Sequence, residues 1–138
     1  MDSEAPENEK TVSKKGGARK GCGGPADVST VVVVSSSEMG RGDEELGKVL
    51  LRNYLHTLVE LTPQPDVVIF FNNGVKMAVE GSQALDDLRA LADRGVRILL
   101  CGTCLGHFAL KEKVAVGEIS NMYAISETML KASKVINL

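Results

Sequence analysis

The sequence predicts an α/β domain with a mainly parallel sheet, and three observations carry that prediction. Val28 to Ser35 (VSTVVVVS) is a β-branched run without polar alternation, which suits a strand buried on both faces. Two more apolar runs follow, Asp66 to Phe71 (DVVIFF) and Val96 to Cys101 (VRILLC). Between the runs, leucines recur at helical spacing, so strands and helices alternate along the chain. Right-handed crossovers place such helices on the faces of the sheet.

The elements follow in order. Ser36 to Gly42 reads as a loop broken by Gly40 and Gly42. Asp43-Glu44-Glu45 opens a helix, with acids where the helix dipole favours them. Leu46, Leu50, Tyr54, Leu58 and Leu61 predict its buried stripe. Pro63 and Pro65 bar its continuation. After the second strand, Asn72-Asn73-Gly74 turns the chain and Val75 to Glu80 makes a short helix or turn. Ser82 is expected to cap a helix carrying Leu85, Leu88, Leu91 and Ala92, closed by Gly95. Beyond the third strand, Gly102 to Lys113 reads as partly helical. Val114 to Ile119 is expected as a fourth strand, interrupted by Gly117. Met122, Ile125 and Met129 mark a last helix, and Lys134 to Leu138 a last strand.

Composition excludes several classes. With 138 residues, 43% of them hydrophobic and 25% charged, the chain suits one soluble domain that can bury a core without disulfides. A net charge of −2 gives no electrostatic case for nucleic acid as a partner. No apolar run reaches the ~20 residues of a membrane span. The start, MDSEAPENEK, lacks the apolar centre of a secretory signal. Three cysteines, two of them close together, do not make a secreted disulfide framework. The expected location is cytoplasmic. Residues 1–27 contain no aromatic residue and no Leu or Ile, so they read as a flexible tail or linker before a domain over 28–138.

In parallel α/β sheets, ligands gather beyond the carboxyl ends of the strands. Residues 35–42, 72–76 and 101–107 meet that description, and Ser36, Asn72, Asn73 and Gly74 are their substrate-loop candidates. The plainer reading of Asn72 to Gly74 is that Asn-Gly turns the chain. The loop SSSEMGRGDEE lacks the endings of a P-loop and of a dinucleotide site. Its acids would also repel a phosphate at the helix start. No nucleotide or flavin cofactor is expected.

The clear chemical signal is Cys101-Gly-Thr-Cys104 at the end of the third strand. A thiol attacks as its thiolate, which a helix N-terminus or a nearby cation stabilises. The spacing lets one sulfur resolve a disulfide or persulfide formed on the other. The competing reading is two small buried hydrophobes, a common fate of free cysteine. A zinc site would need Cys101, Cys104 and His107 with Cys22 from the tail; it is the weaker reading, because structural sites seldom borrow a ligand from a tail, and no metal is expected. His107 falls one helical turn from Cys104, where it either supports a thiolate or has no role. Cys22, between glycines, is either incidental or a mobile sulfur-accepting arm.

LLCGTCL, ALKEKVAVGEISNMY and the closing KVINL resemble the C-terminal domain of the YedF family of selenium-metabolism proteins. That domain belongs to the DsrE/DsrF-like superfamily of sulfur-relay proteins. VVVVSSSEMGRGDEELGKVLLRNYLHTL and VIFFNNGVKMAVEGS fit the same pattern, so the resemblance covers Val28 to Leu138. It implies a three-layer, flavodoxin-like sandwich and homo-oligomers, often trimers or hexamers. It implies that Cys101 is the reactive cysteine, carrying sulfur or, by analogy, selenium as a persulfide-type adduct, with Cys104 resolving or sharing it. Full-length YedF members usually carry an N-terminal TusA-like domain. Here only residues 1–27 precede the resemblance, so that donor domain is absent, separate or cut away. The expected function is therefore a sulfur or selenium relay between a donor protein and an acceptor thiol, with no cofactor. The alternatives are a non-catalytic oligomeric module with inert cysteines, and a dithiol oxidoreductase.

Overall fold

The structure, a computed structural model, describes residues 28–138. The tail expected over residues 1–27, with Cys22, lies outside the described residues. Five strands form one all-parallel sheet: β1 (Val28–Val34), β2 (Val67–Phe70), β3 (Arg97–Cys101), β4 (Glu118–Ser120) and β5 (Ala132–Asn137), in the spatial order β4-β3-β2-β1-β5. Val31 is in register with Val67 on one side and Val135 on the other, and Val67 with Arg97. The helices are α1 (Glu44–Glu60), α2 (Leu85–Asp93), α3 (Gly102–His107) and α4 (Met122–Lys131). A 3-10 helix, Asn72–Ala78, follows β2. The sandwich has the three layers expected.

Strand side chains alternate between faces, so the central strands feed two cores. Val32, Val34, Val68, Phe70 and Leu100 pack against Leu51 and Leu55 of α1, Leu88 and Leu91 of α2, and Leu105 of α3. Val31, Val33, Val67, Ile69, Leu99 and Cys101 face the other way and meet Ile125 of α4. Each such apolar side chain contributes roughly 1.5–3 kcal/mol by leaving water. The chain order explains the asymmetry. β1 to β4 step along the sheet in one direction, so right-handed crossovers put α1, α2 and α3 on one face; the return from β4 to β5 puts α4 on the other.

Asp43 caps α1 by accepting the Leu46 N–H at 2.8 Å. Leu58 of the predicted stripe is buried as expected, but the first turns are out of phase. Leu46 is 54% exposed and Leu61 53% exposed, and Leu50 is exposed as well; the buried row is Gly47, Leu51, Leu55 and Leu58. Over the first turns both rows, Leu46/Leu50/Tyr54 and Gly47/Leu51/Leu55, run at i, i+4 spacing. Gly47 decides between them because the helix passes so close to the first loop that a Cβ there would lie 2.8 Å from the Glu38 Cβ. Of the other expectations, Ser82 accepts the Ala84 N–H and shapes the turn ahead of α2, whose N-cap is Ala84; Ala92 is exposed. The fourth strand begins only at Glu118. Gly117, at φ 92°, breaks the run, and Val114 instead makes an isolated antiparallel bridge with Val79. β5 starts directly after α4, two residues before the expected Lys134.

Candidate functional site: a thiol pair at the carboxyl edge of the sheet

Cys101 is the last residue of β3 and the N-cap of α3. As a strand residue of the α4-side core it is 2% exposed. Gly102 lets α3 begin hard against β4, since a Cβ there would sit 3.0 Å from the Ser120 carbonyl oxygen. One turn later Cys104 is half-buried and packs against both cores. The two thiols are close enough for Cys101 to push the Cys104 pKa up, and both are free of disulfides. The pair expected from the spacing is thus brought together, with Cys104 the more exposed sulfur.

The second strand supplies the other side of the site. The Asn72 N–H, just past β2, donates to the Cys104 Sγ at 3.0 Å. Asn72 has φ 53°, a conformation asparagine tolerates better than most residues. Its neighbours are pinned. The Phe71 N–H donates to the Val34 carbonyl at 3.2 Å, and the Gly74 N–H to the Phe71 carbonyl at 3.0 Å. A Cβ on Gly74 would fall 2.1 Å from the Val34 oxygen, so only glycine fits there. A further contact ties the 3-10 helix to the end of α3: the Lys76 ammonium lies 4.5 Å above the Phe108 ring.

These surroundings act on the Cys104 thiol in opposite directions. Burial pushes its pKa up, the Asn72 N–H pulls it down, and Cys101 pushes it up again, leaving it above the ordinary thiol value. Cys104 therefore becomes a nucleophile as pH rises, and the amide is what favours its anionic form.

Of the loop candidates, Asn72 and Gly74 belong to this site. Asn73 is exposed beside them. Ser36 sits in its own turn, its hydroxyl accepting the Glu38 N–H at 3.0 Å. His107 is exposed and meets Phe108 edge-on, with ring centroids 5.1 Å apart. Among the described residues no group of three His, Cys, Asp or Glu side chains could hold a metal, and Cys22 of the considered zinc set lies outside them. Among the described residues no helix is long and apolar enough to cross a membrane. The Lys76–Phe108 contact and the Asn72 amide carried no signal in the sequence pattern, the first because it joins distant segments and the second because it is backbone.

The sequence matches the DsrE/DsrF-like family over residues 29–138. The fold is similar to the crystal structure of the ychN protein from E. coli, at a TM-score of 0.63 and 18% identity, covering 80% of this chain and 99% of that one. It is also similar to MTH1491, a protein of unknown function from Methanobacterium thermoautotrophicum, at a TM-score of 0.60 and 20% identity, covering 81% of this chain and 100% of that one. Comparison with curated proteins returned no match. The chain belongs to the DsrE/DsrF-like family.

Proposed function

From membership of that family, which is associated with sulfur relay, we propose that this protein carries sulfur or selenium on the Cys101–Cys104 pair. The observation that carries the reading is the half-buried Cys104 sulfur, held by the Asn72 N–H at 3.0 Å with the Cys101 thiol beside it. The resemblance gives the accepting role to Cys101. The exposure of the two sulfurs favours Cys104 as the atom a donor meets first, and we place the first bond there.

In that step the Cys104 thiolate attacks the terminal sulfur of a donor persulfide, R–S–SH. The donor S–S bond breaks, a new S–S bond forms on Cys104, R–S⁻ leaves, and the proton stays on the transferred sulfur. Selenium on a donor thiol would follow the same course. Attack by the Cys101 thiolate on the terminal atom would then move it inward, while attack by an acceptor thiol would pass it on. The thiol exchange itself uses no metal or organic cofactor. Cytoplasmic donor and acceptor proteins are the proposed partners, and LLCGTCL favours the YedF-type branch.

The test is the intact mass of reduced protein after anaerobic incubation with a persulfide donor, R–S–SH, or its selenium counterpart, R–S–SeH. The reading expects one added chalcogen atom in the parent and its loss in Cys104→Ser. A reversible Cys101–Cys104 disulfide without any adduct would support a dithiol oxidoreductase instead. No adduct, with both thiols resistant to alkylation, would mean inert cysteines in an interaction module.

A further inference from the structure

Resting on that carrier reading, we propose that Asn72 is the positioning residue of the site. Its peptide N–H, held by a left-handed backbone between two anchored neighbours, fixes the anionic sulfur of Cys104. Asn72 lies past the end of β2 at Phe70, so its N–H is released from the sheet ladder and free to serve another acceptor. On one side Phe71 is tied to the β1 terminus through Val34. On the other, Gly74 packs against the same carbonyl so closely that no side chain fits. Two residues on either side of one carbonyl thus leave Asn72 little choice of direction. With φ at 53° its N–H points at Cys104 from a different strand than the one bearing the thiol.

A donor of this kind acts on charge. Hydrogen bonds to ionised acceptors are about twice as strong as neutral ones, so the amide holds the thiolate more strongly than the neutral thiol. The titratable group in contact with Cys104 is Cys101; Lys76 and His107, the nearby charged and titratable side chains of the 3-10 helix and α3, engage Phe108 instead. The amide is therefore the one described group in contact with Cys104 that favours its anion.

The test is the pH profile of Cys104 alkylation, resolved by peptide mass, in a Cys101→Ser background. The parent is compared with Asn72→Gly, Asn72→Val and Gly74→Ala, each checked for fold by circular dichroism. Valine strains φ 53° and alanine collides with Val34, so both turn the amide away. They are expected to raise the alkylation midpoint by about one pH unit, about tenfold less thiolate near neutrality. Asn72→Gly, which accepts that backbone, is expected to shift it less. Midpoints unmoved in both folded variants overturn the proposal.

Should those variants misfold, the parent alone decides. The Asn72 amide resonance is expected to titrate with the Cys104 midpoint and to stop titrating in Cys104→Ala; an amide indifferent to pH overturns the proposal. The two readings fail separately. Chalcogen loading on Cys104 with unmoved midpoints removes the Asn72 role alone. Moved midpoints in a protein that never loads remove the carrier reading and leave Asn72 as the determinant of Cys104 ionisation.

Discussion

The two faces of the sheet are unequally covered. One carries α1, α2 and α3, whose Leu51, Leu55, Leu88, Leu91 and Leu105 build the larger core. Among the described residues the other carries α4 alone, and Ile125 is the one fully buried residue of that helix. The outer side of α4 presents Tyr123 and Leu130, 81% and 86% exposed, with Met122 exposed beside them. The thick face holds the larger folding core; the thin face is where one thiol hides beneath a helix whose Tyr123 and Leu130 stand in solvent. Cys104 packs against both, so the site stands at the seam between them.

That contrast can be broken first by emptying each core. Leu55→Ala on the thick side is expected to cost about 3–5 kcal/mol in urea unfolding, since a fully buried leucine leaves a cavity among packed helices. Ile125→Ala is expected to cost less, about 2–3 kcal/mol, because a lone helix can settle onto the sheet. It should also speed alkylation of Cys101, which Leu55→Ala should not. Equal costs, with Cys101 still protected in Ile125→Ala, would contradict the division of labour.

The exposed side of α4 lies outside both cores. We propose that the homo-oligomer expected from the sequence uses the outer side of α4. Leu130→Glu is then expected to lower the mass measured by light scattering while moving stability by no more than about 0.5 kcal/mol, as surface substitutions do. An unchanged mass would direct attention to the exposed Leu46, Val49 and Leu50 of α1.

The smallest effect lies between α1 and α2. The Asp87 carboxylate, 2.9 Å from the His56 Nδ1, raises the imidazole pKa above its usual value by hydrogen bonding and charge, with burial opposing slightly and Glu60 adding to the rise. A raised histidine contributes stability that is full below its unfolded pKa and lost as pH rises through the folded one. The melting point of the parent should therefore exceed that of His56→Gln slightly near pH 5, with the gap closing near pH 8. A gap that widens with pH would reverse the sign.

Much of this architecture was legible in the sequence, for a physical reason. β1 to β3 are buried on both faces, so Val31–Val34, Val67–Phe70 and Ile98–Cys101 announce themselves whatever their phase. Phase is where reading failed. α1 offers Leu46/Leu50/Tyr54 and Gly47/Leu51/Leu55 at the same spacing, and only the approach to Glu38 selects the row containing the glycine. The thiol pair was legible because its chemistry lies in side chains at a fixed spacing. Which sulfur meets solvent was not, since it depends on α4 returning over Cys101 from a distant part of the chain. The Asn72 amide was not legible either; every residue but proline has one, and only the fold aims it.

One measurement tests the central claim directly: anaerobic loading with a persulfide donor, trapping with an alkylating reagent, and peptide mapping of the extra sulfur over a short time course. The account predicts that the earliest modified peptide carries the sulfur on Cys104, and that Cys101→Ser loads at Cys104 as fast as the parent. First appearance on Cys101, with Cys104→Ser loading at the parental rate, would contradict it.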